Sequence, residues 1–173
     1  MPLFTLPCQS HPAIEAIPML KPILLVEDNP KDLELTLRAL AKSNLANEVI
    51  TVRDGEECLN YLRQAGQYAN RTPGSPAVVL LDLKLPKVDG LQVLKEIKSD
   101  PHLQGIPVVM LTTSREEQDL LTSYKLGVNA YVVKPVAFKD FMEAIQDIGV
   151  FWAVINEPPP GSLKSARPSS SNS

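Results

Sequence analysis

Cysteine is nearly absent from this chain. Cys8 near the start and Cys58 inside a segment of helical period are the only two in 173 residues, too few for a disulfide framework. A reducing cytoplasm is the expected compartment. Clusters of Lys and Arg are also missing, and a formal net charge of -3 offers no long-range attraction to a polyanion, so nucleic acid is not an expected partner. No apolar run is long enough to cross a bilayer. The opening stretch MPLFTLPCQSHPAIEAIPML has no basic residue before Lys21 and is broken by prolines, which argues against a signal peptide or a membrane span. Internal repeats are absent, and only the last residues are of low complexity.

What is present is an ordinary folding composition, 44% apolar and 21% charged, in a chain sized for one domain with one core. From Pro22 onward short aliphatic runs alternate with segments of helical period, the pattern of a parallel sheet covered on both faces. PILLVED has no polar alternation and reads as a strand buried on both sides. Asn29 and Pro30 then form a cap and first helical position ahead of Leu33, Leu37 and Leu40. EVITV is the second strand, followed by Asp54 and Glu57 at capping-box spacing. GQYANRTPGSP is rich in breakers and is expected to be a surface loop before the third strand, AVVLLD. LKLPKVDG leads to a helix carrying Leu91, Leu94 and Ile97. The fourth strand, PVVMLT, precedes Ser114 and Glu117, again at capping-box spacing. The fifth, AYVV, ends at Lys134. A last helix starts near Phe138, carries Phe141, Met142, Ile145 and Ile148, and continues through Phe151 and Trp152 until the prolines at 158 to 160. The expected organisation is an arm over 1–20, a domain over 21–156 and a Pro/Ser-rich disordered tail over 157–173.

In an open parallel sheet, ligands bind beyond the carboxyl ends of the strands. Glu27 and Asp28 close the first predicted strand, Asp82 the third, Thr112 the fourth and Lys134 the fifth. Three carboxylates gathered there repel one another unless a cation neutralises them. Magnesium suits such a site, because it takes oxygen ligands and leaves positions for water and phosphate oxygens. With the ion in place Asp82 can attack a phosphoryl donor, the charge being shared with the ammonium of Lys134, while Thr112 hydrogen-bonds a phosphate oxygen.

EDNP, LLDLKLPKVDG, LTTS and YVVKPV resemble, in order and spacing, the signature blocks of response-regulator receiver domains of two-component systems, over about residues 22 to 149. The resemblance implies a flavodoxin-like doubly wound sheet of five parallel strands in the order 2-1-3-4-5. It implies Asp82 as phosphoacceptor and Glu27, Asp28, Asp82 and the main-chain carbonyl of Lys84 as ligands of Mg2+, or Mn2+ in its place. Thr112 and Tyr131 would be the switch pair and Lys134 the phosphate-binding lysine. The implied protein is a signalling module that catalyses only its own phosphoryl transfer and dephosphorylation, with a sensor histidine kinase as partner. The insertion GQYANRTPGSP and the segment GVFWAVINEPPP further resemble the small cyanobacterial regulators paired with phytochrome kinases. That likeness implies a homodimer through the side made by helix four, strand five and helix five, with Phe151 and Trp152 as candidate surface residues.

Other readings fit less well. A haloacid-dehalogenase-like phosphohydrolase needs a second Asp two positions after the nucleophile, where this chain has Lys84. A phosphorylation-independent pseudo-receiver would lack a site residue, and none is missing. The segment after helix five is short and Pro/Ser-rich, against a DNA-binding domain. His11 and His102 match no site position, and Cys58 reads as core.

Overall fold

The computed structural model describes residues 20–113, 117–134 and 138–150. Within them, five strands alternate with five helices: β1 (Ile23–Val26), α1 (Pro30–Lys42), β2 (Val49–Val52), α2 (Gly55–Arg63), β3 (Val78–Asp82), α3 (Gly90–Ser99), β4 (Val108–Thr112), α4 (Glu117–Lys125), β5 (Ala130–Val133) and α5 (Phe138–Val150). The strands are parallel and lie in the order β2-β1-β3-β4-β5, the expected doubly wound sheet. Residues 1–19 of the expected 1–20 arm, the Ser114 cap, Phe151, Trp152 and the tail lie outside the described residues.

The strands without polar alternation are the central ones. β1, β3 and β4 are buried along their whole lengths, because helices cover both faces of the sheet. Alternate residues divide between two apolar layers. Leu24, Val26, Val79 and Leu81 pack with Leu62, Leu94 and Ile97 on the α2–α3 side, whereas Ile23, Leu25, Val78 and Leu80 pack with Leu40 and Ile145 on the α1–α5 side. The edge strands β2 and β5 are only partly buried, and they carry the Thr and Tyr that interrupt their aliphatic runs.

Helix starts follow the expected caps. The Asn29 side chain accepts from the main-chain N–H of Lys31 at 2.9 Å, with Pro30 in the first turn. Asp54 accepts from the Glu57 N–H at 2.7 Å, but the return arm of the box goes to Arg53 N–H at 2.9 Å rather than to Asp54. The other oxygen of Glu57 is occupied: the Tyr68 hydroxyl donates to it at 2.7 Å and Gln67 at 2.9 Å.

That contact brings order to the stretch expected to be a surface loop. Gly66–Tyr68 forms one 3-10 turn, and Tyr68 is half-buried against the α2-side layer, edge-on to Tyr61 with ring centroids 5.1 Å apart. Arg71 lies over the other part of this pair, its guanidinium 4.2 Å from the Tyr61 ring centre, and donates to the carbonyls of Tyr61, Thr72 and Gly74. The insertion therefore extends the core under its own aromatic and guanidinium stack.

Candidate functional site

Four of the five parallel strands, β1, β3, β4 and β5, deliver a side chain at or just past their carboxyl ends. The Glu27 N–H donates to Val52 O at 3.1 Å, which prolongs the β1–β2 pairing and holds its carboxylate inward, 1% exposed. The N–H of Asn29 donates to Glu27 Oε1 at 3.0 Å as the chain turns into α1. Asp28 faces out. Asp82, the last residue of β3, is 8% exposed, and a carboxylate oxygen from each of Glu27, Asp28 and Asp82 lies within 4.8 Å of the others.

Lys134 follows β5, and its main-chain N–H donates to Thr112 O at 2.6 Å, which ties the ends of β4 and β5 together. Its side chain crosses the sheet edge. Lys134 Nζ donates to Glu27 Oε2 at 2.6 Å and Asp32 Oδ2 at 2.9 Å, and stands 3.2 Å from Asp82 Oδ1. Thr112 is buried beside this group at the end of β4. Tyr131, in register with Met110, is half-buried, and its ring packs against the α2–α3 layer. Lys84 is exposed two residues beyond Asp82.

The electrostatics reveal an unbalanced site. Burial pushes the Glu27 carboxyl above its usual range, and neighbouring Asp82 adds to this, while the Lys134 contact opposes it without winning. Asp82 behaves alike: burial raises it, Lys134 and the Leu83 N–H pull it down, Asp28 pushes it up, and the net direction is upward. Lys134 goes the other way for an ammonium. Burial alone would lower it, but hydrogen bonds to Asp32 and Glu27 and the charge of Asp82 hold it above its ordinary value. One cation is shared by several acids, so the lysine is over-compensated and the acids are not. The excess negative charge is all on oxygen, which is the donor set a hard divalent ion requires, so the residues present fit magnesium or manganese.

The acceptor strand is held by close backbone packing. A Cβ on Gly90 would sit 2.3 Å from Asp82 O and 2.8 Å from Leu83 Cα, so only glycine lets α3 start this close to the end of β3. The loop between them is clamped from α2. Lys87 takes a left-handed φ of 63° and its ammonium lies 2.8 Å from Asp54 and 3.4 Å from Glu56. A Cβ on Gly55 would meet Val88 O at 2.0 Å.

Every site residue expected from the sequence that falls on a strand end is brought to this edge: Glu27, Asp28, Asp82, Thr112 and Lys134. Two features were not anticipated, Asp32 and the clamp of Lys87 on Asp54. Asp32 was missed, although an acid in the first turn of a helix that starts at the site is a usable signal. The Lys87–Asp54 clamp carried no signal, since the pair is 33 positions apart in a sequence rich in exposed charges. His102 is exposed and remote from the site, as expected.

Residues 23–146 match the family model of the response regulator receiver domain, and the chain belongs to that family. Response regulator Rcp1 of Synechocystis sp. is 46% identical over 132 residues, covering 76% of this chain and 88% of Rcp1. Its Mn2+-bound crystal structure superposes with a TM-score of 0.75 at 45% identity, over 80% of this chain and 99% of that one. The phosphorylated cyanobacterial phytochrome response regulator RcpA gives a TM-score of 0.75 at 48% identity, over 81% of this chain and 99% of the other. The bacteriophytochrome response regulator AtBRR is 69% identical, with a TM-score of 0.67, over 81% and 100% of the two chains. The chain is thus a receiver-domain response regulator related to those of phytochromes, and receiver domains of this family bind Mg2+ or Mn2+ at an acidic pocket. Among the described residues no helix is long and apolar enough to cross a membrane.

Proposed function

We propose that this chain accepts a phosphoryl group on Asp82 from a sensor histidine kinase of the phytochrome type, and thereby switches a protein-interaction surface. The observation that carries the reading is the surplus of acid around Asp82. Glu27 and Asp28 lie within 4.8 Å of it and a single ammonium, Lys134, stands 3.2 Å away. The likeness to RcpA, a phosphorylated phytochrome response regulator, and to AtBRR, a bacteriophytochrome response regulator, supports the choice of donor.

Glu27, Asp28, Asp82 and the carbonyl of Lys84 would hold Mg2+ or Mn2+. When bound, that ion offsets the acid surplus and the charge of the incoming phosphoryl oxygens. An Asp82 carboxylate oxygen forms a bond to phosphorus as the phosphorus–nitrogen bond of a phosphohistidine breaks. The electron pair stays on the imidazole, which takes a proton from solvent. Lys134 meets a phosphoryl oxygen, and Thr112 donates its hydroxyl to another. A move of Thr112 toward the phosphate would leave room for the Tyr131 ring to turn, changing the surface of α4, β5 and α5.

The functional domain spans 21–156, flanked by an arm over 1–20 and a tail over 157–173. It forms a homodimer through the α4–β5–α5 side with Phe151 and Trp152 in contact, acts in the cytoplasm, and catalyses no reaction beyond its own phosphorylation and dephosphorylation.

Incubation with acetyl phosphate and Mg2+ tests the central claim. The protein should gain one acid-stable, hydroxylamine-labile phosphate, and Asp82→Asn should gain none. Equal labelling of the two proteins would defeat the assignment.

A further inference from the structure

The described acids around Lys134 include one that the metal and phosphoryl roles do not use. Asp32 sits in the first turn of α1, with its side chain 29% exposed, and accepts from Lys134 Nζ at 2.9 Å. An ammonium has three N–H donors, and here Glu27, Asp32 and Asp82 stand at 2.6, 2.9 and 3.2 Å from it. To meet a phosphoryl oxygen, Lys134 must give up one of these partners. Glu27 is the shortest contact and is 1% exposed, so its carboxylate would be left dry. Asp82 is the acceptor itself. Asp32 alone is both a non-ligand and open to water, and its carboxylate is re-solvated when released.

We infer that Asp32 is a positioning residue that holds the third N–H of Lys134 in the unphosphorylated protein and releases it to the incoming phosphoryl group. This rests on the reading of Asp82 as phosphoacceptor. Asp32 is fixed for the task by its own helix. Its N–H points at the Asn29 cap at 3.4 Å and its carbonyl accepts from Thr36 Oγ1 at 2.8 Å, so the backbone cannot follow the ammonium when it leaves. The carboxylate also shares the ammonium with Glu27 and Asp82, whose oxygens a divalent ion needs.

Two consequences follow for Asp32→Asn. Lys134 loses its competing acid, so phosphoryl donor is engaged at lower concentration, with half-saturation by acetyl phosphate falling on the order of fivefold at saturating Mg2+. The maximal rate stays within about twofold, since an exposed contact of this kind is small. Conversely, the freed ammonium presses on Glu27 and Asp82, and Mn2+ binding to the unphosphorylated protein weakens about threefold. Asp32→Glu restores the charge and should return both readings most of the way to wild type.

The deciding experiment is a double-mutant cycle with Lys134→Met, read by acetyl phosphate labelling and by Mn2+ titration. If Asp32 acts through Lys134, the effect of Asp32→Asn shrinks to less than half in the Lys134→Met background. An effect of equal size in both backgrounds would show Asp32 to be only a nearby negative charge, and the inference would fall. Labelling of Asp82→Asn would instead overturn the acceptor reading, while the Mn2+ cycle, which needs no phosphate, still decides the Asp32–Lys134 coupling. A wild-type response of Asp32→Asn in both assays would likewise end the inference.

Discussion

Asp82→Asn should make the metal-free protein more stable, although it removes the atom on which the proposed chemistry depends. Oxygens of Glu27 and Asp28 lie within 4.8 Å of Asp82, and at an effective dielectric of about 20 each repels its carboxylate by about 3.5 kcal/mol or more. Lys134 at 3.2 Å returns about 5 kcal/mol. Asp28 is exposed and its share is screened, but burial of Asp82 adds a penalty of its own. The balance favours a neutral isostere by about 1–2 kcal/mol, and Lys134 keeps Glu27 and Asp32 as partners. Urea unfolding at pH 7 in EDTA measures this directly.

The pH dependence has a definite sign. The Asp82 carboxyl is raised in the folded state, so the native protein binds the proton more tightly than the unfolded chain does. The Asp82 contribution to wild-type stability then rises as pH falls through the folded value, so the advantage of the Asn variant shrinks toward acid. Magnesium should act oppositely: the wild type gains about 2.7 kcal/mol at 100 times the dissociation constant, whereas the variant has lost a ligand. The order of stability should therefore invert at high Mg2+. A variant less stable than wild type in EDTA at pH 7, or an advantage that grows on acidification, would refute the charge accounting.

Three other outcomes are expected. Gly90→Ala places a methyl 2.3 Å from Asp82 O, where backbone rather than a flexible side chain must move; it should destabilise by about 1–3 kcal/mol in urea and slow labelling as well. Asn129→Ala removes the oxygen that accepts from the buried Val108 N–H at 2.8 Å and from Lys98 Nζ at 3.3 Å, with an expected loss of about 1–3 kcal/mol by the same measurement. Cys58 is fully buried and its thiol is pushed up to about 12, chiefly by burial, so in a Cys8→Ser background it should resist a disulfide reagent at pH 8 until the protein unfolds.

The features legible in the sequence share one property: they are fixed by local pattern plus topology. Aliphatic runs such as ILLV and VVLLD announce strands buried on both faces, and once the strands are parallel their last residues must meet at one edge. Glu27, Asp28, Asp82, Thr112 and Lys134 were readable for that reason. Asp32, Lys87 and the second role of Glu57 depend on how far one loop leans on another, and no periodicity encodes that. Glu57 shows the difference within one side chain. Its spacing from Asp54 marks the helix start, but the oxygen held by Tyr68 becomes visible only when the insertion folds back. The site is closely packed where it is most charged. Gly90 seats α3 against the carbonyl of Asp82, Gly55 seats α2 against Val88, and Lys87 closes the loop between them onto Asp54. Asp82 therefore cannot relieve its repulsion from Glu27 and Asp28 by backing away. A proton or a cation can relieve it, and the backbone packing that surrounds the cluster keeps the acids gathered as a candidate cation site.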